Sequence, residues 1–248
     1  MQPINSEDAE KGVVSMSGDR IQNEILAELP RNEYERIYPS MQVEEWPSGK
    51  ALYASGQPIS HVYFVNTGMA SLTSLTDEGA SIEVGVIGRE GMVGISTILG
   101  SNTMPHNAIV QLPGQALKMK IASLNDAFNK STKLQSLLRR HMYLLHYQVA
   151  RSVLCNRFHQ VESRLCRWLL MSRARLDSNS VPLTQEFLAT MLGVARPIVS
   201  LTARTLQTAG LIEYKMGHIT ILDLDGLKAA ACDCYEIVRL ESENFPNA

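Results

Sequence analysis

The most reactive side chains of this sequence are its four cysteines, Cys155, Cys166, Cys232 and Cys234. Cysteine thiolates bind metal ions and exchange disulfides. A structural zinc site usually takes its four ligands as two pairs, each about two to four residues apart, and only Cys232 and Cys234 form a close pair. Four ligands would therefore share one site only if segments far apart in the sequence lay close together in the fold. We expect no metal site and interpret the thiols as structural or surface groups, with a redox role as the alternative.

A second candidate site is the segment 183–202, which has the spacing of a helix-turn-helix. Ala189 is small where two helices would touch, Gly193 suits a left-handed turn, and Val199 would anchor the second helix. Ala195 is a poor N-cap for that helix. After Gly210 the sequence predicts a strand, a turn and a second strand, which form the wing of a winged helix.

The second helix of this motif would present one face to the major groove of DNA. The residues expected on that face are Arg196, Pro197, Ser200, Leu201 and Arg204. We expect Arg196 to contact guanine through two hydrogen bonds and Leu201 to contact a thymine methyl group. Ser200 suits a base or a phosphate, and Arg204 the backbone. The residues expected at phosphates are Thr184, Gln185, Lys215 and His218.

The charge distribution favours local binding of nucleic acid, although the whole chain has a formal net charge of -2. Residues 157–222 carry 8 basic and 4 acidic side chains, whereas residues 223–248 carry 2 and 6. A positive block inside an acidic chain is the footprint that a phosphate backbone selects. The sequence contains no phosphate loop, nucleophile elbow or His-Glu-x-x-His pair, so we expect no enzyme.

Two kinds of elements must position these residues. From residue 42 to 114, short apolar runs end at turn residues such as Asn66-Thr67-Gly68 and Pro113-Gly114, which predicts a β-sandwich, roll or barrel. From Leu124 to Leu176 there is neither proline nor glycine, which predicts two long helices. We interpret residues 1–18 as a flexible tail. Because no apolar run approaches the roughly 18 residues of a membrane helix, we expect a cytoplasmic protein with no membrane partner.

A stripe of side chains three and four residues apart follows the first long helix. It consists of Leu138, Met142, Leu145, Val149 and Ser152. This spacing is typical of a helix that pairs with another helix, so we expect it to form a homodimer interface. The alternative is that the stripe packs on its own β-domain, and a helix of this length could do both. His141 beside it is expected to be exposed or partly satisfied rather than a ligand.

These parts, in this order, resemble the Crp/Fnr superfamily of bacterial transcription regulators over about residues 22–228. The resemblance is carried by Gly56-Gln57-Pro58, by Val62-Tyr63-Phe64, by the long helix and by the Gly193 turn. It implies an α+β fold with a cyclic-nucleotide-binding-like β-roll (jelly roll) at 19–125, a dimerisation helix at 126–156 and a winged helix-turn-helix with an acidic extension at 157–248. It also implies a homodimer on a palindromic operator in double-stranded DNA, with RNA polymerase as a candidate partner.

The resemblance also says where an effector would bind. Family members that bind cyclic nucleotides have Gly-Glu for the ribose and Arg-Ser or Arg-Thr before an alanine for the phosphate. When Gly94 and Ala108 are aligned with these anchors, Ile95 takes the position of the glutamate, and His106-Asn107 takes that of the Arg-Ser pair. The polar contacts with the ribose and with the phosphate are then both missing. We therefore expect that the protein does not bind cyclic AMP. The candidate effector pocket consists of Arg89, Glu90, Ile95, His106 and Asn107.

Other family cofactors are not expected either. No cysteine precedes Cys155, whereas the iron–sulfur cluster of oxygen-sensing members uses cysteines near the N-terminus. His61 and His106 alone do not predict haem. We therefore assign no cofactor. The alternative function is a ligand-binding or thiol redox-switch module that acts through protein partners, with Cys155 and Cys166 as its candidate thiols.

Overall fold

The computed structural model describes residues 21–176 and 178–245, and the predicted tail at 1–18 lies outside them. Two short helices, α1 (Glu24–Ala27) and α2 (Arg31–Ile37), come first. Asn23 caps α1 and donates hydrogen bonds from Nδ2 to the carbonyl oxygens of Val65 and Gly91, each at 2.9 Å. This fully buried side chain attaches the first helices to the β-domain.

A six-stranded antiparallel sheet forms the predicted β-domain and confirms it. Its strands are β1 (Met41–Trp46), β2 (Ala51–Tyr53), β3 (His61–Leu75), β4 (Ser81–Ile87), β5 (Met92–Val93) and β6 (Asn107–Lys120). The order is β1-β6-β3-β4, while β2 pairs with β6 and β5 pairs with β3. The aromatic rings of Trp46, Tyr53 and Tyr63 pack in its interior, with centroids 5.8 Å apart for Trp46 and Tyr63. We call this sheet, with its core, the roll.

Two predicted turns are bends within strands instead. The register of β3 on β6 shifts near residues 65–69, so both strands continue through the glycines. Gly68 has φ +80°, and a Cβ there would lie 2.6 Å from the carbonyl oxygen of Leu112. A Cβ on Gly114 would lie 2.2 Å from the carbonyl oxygen of Thr67. The glycines allow two backbones to approach closely, which a sequence does not distinguish from a turn.

Three helices follow the roll: α3 (Ile121–Lys130), α4 (Thr132–Phe158) and α5 (Val161–Leu176). They confirm the helical prediction for this glycine-free and proline-free region. The long helix begins at Thr132 rather than at 126, because Ser131 leaves the helical conformation and its Oγ accepts a hydrogen bond from the Leu134 N–H at 2.9 Å.

The predicted dimer stripe on α4 packs against the chain's own roll. Leu138 is fully buried in the core with Phe64, and Ser152 is also buried. Leu145 and Val149 lie over Gly85 of β4. The alternative of packing on the β-domain therefore holds for Leu138 and Ser152. Met142, Leu145 and Val149 are only half-buried, so a dimer interface along this stripe stays a prediction. Helical spacing shows that a stripe is covered, but not which surface covers it.

His141 is partly satisfied rather than exposed, which is the second of its two predicted alternatives. It is buried, and its Nε2 lies 3.1 Å from the carbonyl oxygen and 3.2 Å from the amide nitrogen of Met92. Burial holds the pKa of His141 below its usual value, which favours the neutral ring. His141 thus joins α4 to β5.

The C-terminal part confirms the predicted winged helix. Its elements are β7 (Ser180–Pro182), α6 (Gln185–Leu192), α7 (Arg196–Thr208), β8 (Ile212–Lys215), β9 (His218–Ile221), α8 (Leu224–Ala230) and α9 (Cys234–Asn244). The sheet order is β7-β9-β8. The last helix, α9, returns to α4, where the Tyr143 hydroxyl donates to Glu241 at 2.8 Å. In the described ranges no single helix is long and apolar enough to cross a membrane, although the bent pair of α6 and α7 meets that length and composition together.

Candidate nucleic-acid interface

The turn between α6 and α7 forms for local reasons. Thr184 caps α6, and its Oγ1 accepts the Phe187 N–H at 3.3 Å. The helix ends at Gly193, whose φ of +59° is the left-handed conformation expected from the sequence. Ala195 provides no side-chain cap for α7, and Val199 is fully buried beneath it. The two helices cross at 102°, within the range of about 90–120° for a helix-turn-helix.

The predicted groove-facing residues lie together on the outer face of α7. Arg196, Pro197, Leu201 and Arg204 are exposed, and Ser200 is half-buried. Leu201 is 64% exposed although it is a large apolar side chain. Ile198, one turn earlier, is also exposed at 44%, and exposed apolar side chains on a groove-facing helix suit contact with a thymine methyl group.

Two contacts with α6 position the start of this face. Gln185 Oε1 accepts a hydrogen bond from Ser200 Oγ at 3.0 Å and another from Arg196 Nε at 3.3 Å. Arg196 also forms an ion pair with Glu186 at 2.7 Å. Gln185 was predicted from the sequence but Glu186 was not, because an exposed acidic residue gives no signal for nucleic-acid binding. To bind another anionic or polar partner, Arg196 must first release the exposed carboxylate of Glu186.

The predicted phosphate contacts surround the same end of α7. Thr184, Lys215 and His218 are exposed, and Lys215 pairs with His218 across β8 and β9. An open cleft of about 380 Å³ lies between the start of α6, Arg196 and the wing. The cleft brings Thr184, Gln185 and Arg196 together beside Met216 and Gly217, the turn of the wing between Lys215 and His218.

The turn of the helix-turn-helix also contacts the roll. A Cβ added to Gly193 would lie 2.9 Å from Cδ1 of Ile82 in β4. Glu90 of the roll forms an ion pair with Arg175 of α5 at 2.6 Å. These contacts attach the winged helix to the roll at two places.

The five predicted effector residues do not form one pocket. Arg89 and Glu90 line a cavity of about 300 Å³ between the roll, α4, α5 and α9. They lie just before Met92, which pairs with Phe64 of β3, whereas Asn107 pairs with Thr73. Nine residues of β3, roughly 25–30 Å of strand, separate these two places. The prediction of a single site is therefore wrong.

The other members have partners of their own. Ile95 is buried in the core beside the N-terminal helices. His106 Nδ1 lies 3.1 Å from the Ser74 hydroxyl, and the Asn107 side chain accepts the Ser55 N–H at 2.8 Å. These side chains stabilise the rim of the roll, which alignment to family anchors does not reveal.

The cysteines differ most from expectation. Cys155 Sγ lies 3.5 Å from Cys232 Sγ, and Cys234 Sγ lies 3.6 Å from His159 Nδ1. Cys166 lies apart from them, buried in the core of the winged-helix half. The premise that these cysteines are too far apart to share a site is wrong. The expectation that Cys232 and Cys234 form the only close pair of ligands is also wrong, because Cys155 and His159 lie four residues apart in the sequence.

Both halves of the chain match models of known protein families. The family model of the cyclic nucleotide-binding domain matches residues 43–131, and that of the Crp-like helix-turn-helix domain matches residues 163–230. A global nitrogen regulator of Nostoc sp. is 23% identical over 152 residues, which cover 60% of this chain and 68% of that protein.

Solved structures share the fold. A Crp/Fnr family transcriptional regulator from Eubacterium rectale has a TM-score of 0.64 at 17% identity, covering 84% of this chain and 98% of that one. FixK2 from Bradyrhizobium japonicum has a TM-score of 0.67 at 16% identity, covering 77% and 98%. The two family models match most of the roll and of the winged helix in the predicted order. The chain therefore belongs to the Crp/Fnr family of transcription regulators.

Proposed function

We propose that this regulator binds a palindromic operator in double-stranded DNA as a homodimer and reads its sequence with α7. The observation that carries the proposal is the exposed outer face of α7, which crosses α6 at 102° and lies beside the wing. A helix in this arrangement inserts its N-terminal residues into the major groove while the first helix crosses the backbone. The protein is proposed to act without catalysis.

The contacts divide into two kinds. Arg196 has a planar fork of donors that matches the O6 and N7 atoms of guanine, and Leu201 meets a thymine methyl group. Ser200 contacts a base or a phosphate, and Arg204, further along the helix, contacts the backbone. Phosphates are bound by the exposed residues Thr184, Lys215 and His218 and by the half-buried Gln185, which contributes affinity without sequence information.

The homodimer is proposed to form through the exposed face of α4 that lies about 100° around the helix from the stripe packed on the roll. Side chains three and four residues apart follow this face: Arg139, Tyr143, His146, Ala150, Val153 and Arg157. Val153 is 68% exposed, and the apolar side chains of Leu154 and Phe158 are exposed beside it. Apolar groups clustered at the end of a long helix favour pairing with a second copy.

The effector of the roll stays unassigned. We propose that it is not cyclic AMP, haem or an iron–sulfur cluster, as the sequence predicts. The burial of Ile95 supports this proposal for cyclic AMP, because the side chain at the aligned ribose position belongs to the hydrophobic core. RNA polymerase as a partner stays a prediction from the family.

Selection of bound DNA from a randomised library tests the proposal. We expect enrichment of two inverted half-sites whose centres are about 34 Å apart, one helical turn, and an affinity that falls steeply with salt. Sedimentation of the protein should give a dimer at micromolar concentration. Recovery of unenriched sequences, or a salt-insensitive affinity, would contradict the proposal.

A further inference from the structure

Three cysteines and a histidine from two distant parts of the sequence meet at the junction of α4 and α5. Cys155 lies in the last turn of α4, and His159 is the C-cap of that helix. Cys232 and Cys234 flank Asp233, the N-cap of α9. One ligand atom from each of Cys155, His159, Cys232 and Cys234 lies within 4.8 Å of all the others. We call these four residues the Cys3His cluster.

The dimensions of the cluster match a single tetrahedral ion. A Zn–S bond of about 2.3 Å places two thiolates about 3.8 Å apart, and a Zn–N bond of about 2.0 Å places sulfur and nitrogen about 3.5 Å apart. The observed separations are 3.5 Å for Cys155 Sγ and Cys232 Sγ, and 3.6 Å for Cys234 Sγ and His159 Nδ1. A four-iron cluster needs room for its own iron and sulfide atoms and would hold the thiolates further apart.

The histidine is oriented as a metal ligand requires. While Nδ1 of His159 faces Cys234, its Nε2 lies 3.5 Å from Oδ1 of Asp233. Histidines that bind metal ions usually donate the other ring N–H to a carboxylate, which selects the tautomer and orients the ring. Asp233 is itself not a member of the cluster, so this contact is an independent observation.

A buried positive charge lies beside the thiols. Arg167 is 8% exposed and acts electrostatically on Cys155, Cys232 and Cys234. Its Nε has no hydrogen-bond partner, and it makes no ion pair with a carboxylate in the described parts of the chain. A guanidinium in such a place needs a nearby negative charge. Three thiolates and a divalent cation together carry one negative charge, which would interact favourably with Arg167 in addition to the buried carboxyl group of Glu83, on which Arg167 also acts.

We propose that Cys155, His159, Cys232 and Cys234 bind one divalent ion of the zinc class in tetrahedral coordination. Binding displaces the three thiol protons to solvent and leaves neutral His159 as the fourth ligand. The set has four protein ligands and no open position, which is the pattern of a structural site rather than a catalytic one.

The ion would cross-link three elements. It joins the end of α4 to the segment between α8 and α9, while the Cys232 N–H already donates to the Ser163 carbonyl of α5 at 3.4 Å. The cross-link therefore spans residues 159–160, where the chain passes from α4 to α5, the helix that leads into the winged helix. A bound ion restrains this passage, and its loss frees the C-terminal segment from the α4–α5 junction.

Metal analysis of the full chain, purified under anaerobic reducing conditions, tests the proposal. We expect about one zinc ion per chain and, after exchange for Co²⁺, the intense visible bands of tetrahedral cobalt with thiolate ligands. Cys155→Ser and Cys234→Ser should lose the ion and the cobalt bands. Cys166→Ser is the matched control, because it makes the same change at a buried cysteine outside the cluster, and it should keep both.

A further variant separates metal binding from folding. The Asp233 side chain is 69% exposed, so Asp233→Asn should fold normally and weaken Zn²⁺ affinity by about 10–100-fold in competition with a chelator. The proposal is overturned by metal-free protein after reconstitution with Zn²⁺, by iron with acid-labile sulfide, or by equal loss of metal in Cys166→Ser. It is likewise overturned if Cys155 and Cys232 form a disulfide in the reduced preparation.

Discussion

The carboxyl group of Glu83 in β4 accepts a hydrogen bond from Nε1 of Trp168 in α5 at 3.1 Å, which joins the roll to the winged-helix half through two buried side chains. The other carboxyl oxygen of Glu83 accepts the Ser71 hydroxyl at 2.6 Å. A buried carboxyl group at this junction makes the attachment of the two halves sensitive to protonation.

Stability should fall as pH rises through neutrality. Burial raises the pKa of Glu83 from 4.5 to about 7, although hydrogen bonds from Ser71 and Trp168 and the charge of Arg167 oppose the shift. The folded state therefore binds this proton more tightly than the unfolded chain. The contribution, about 3 kcal/mol, is complete below about pH 4.5 and is lost as pH rises through about 7. Urea unfolding from about pH 5 to pH 8 measures it.

Glu83→Gln is the matched variant, because the amide keeps the shape and the hydrogen bond with Trp168 but does not titrate in this range. We expect a flatter dependence of the unfolding free energy on pH. If the variant and the wild type gave parallel curves, another group would be responsible.

Arg196→Ala and Lys215→Ala should have different effects on DNA binding. Loss of the Arg196 fork is expected to cost about 1–3 kcal/mol at the selected operator and to relax preference at one base position. Lys215→Ala should weaken all sequences alike and reduce the salt slope by about one. Titrations at fixed salt against operator and mutated operator distinguish them. Unchanged affinity and base preference in Arg196→Ala would show that another face reads the DNA.

Gly193→Ala should destabilise the protein for two separable reasons. The left-handed φ of +59° costs a residue with a side chain about 1 kcal/mol, and the new Cβ would meet Ile82 at 2.9 Å. In an Ile82→Ala background only the backbone cost remains, so the two substitutions should be less than additive in denaturant unfolding. If the two changes in unfolding free energy were strictly additive, the side chains at positions 193 and 82 would not be in steric contact.

Two charge substitutions on α4 should separate dimerisation from folding. Val153→Glu places a carboxylate on the exposed face and should convert dimers to monomers with helical content unchanged. Leu145→Glu buries a charge against the roll and should lower the thermal midpoint. Sedimentation and circular dichroism measure the two effects. A dimer that survives Val153→Glu would place the interface elsewhere.

Isothermal calorimetry with cyclic AMP tests the effector prediction. Ile95 cannot accept a hydrogen bond from a ribose hydroxyl, and His106 is held by Ser74, so we expect no binding at micromolar concentration. Burial also lowers the pKa of His106, which disfavours its cationic form at neutral pH. A dissociation constant in the micromolar range or tighter would show that the alignment of Gly94 and Ala108 is mistaken.

Features with a local cause could be predicted from the sequence. Gly193 is left-handed and Val199 is buried because the offsets within a helix-turn-helix are set by a few neighbouring residues. The long α4 and α5 follow from the absence of proline and glycine, and the strands of the roll from regularly spaced turn residues.

The partner of each surface was decided only by the tertiary structure. The stripe at Leu138 and Leu145 packs on the roll, and its spacing alone did not reveal this, because periodicity records burial without identifying what covers it. Cys155 and Cys232, 77 positions apart, share a site because α9 returns to the end of α4. Such a meeting depends on how whole elements pack, since contacts between distant segments leave no periodic trace in either segment.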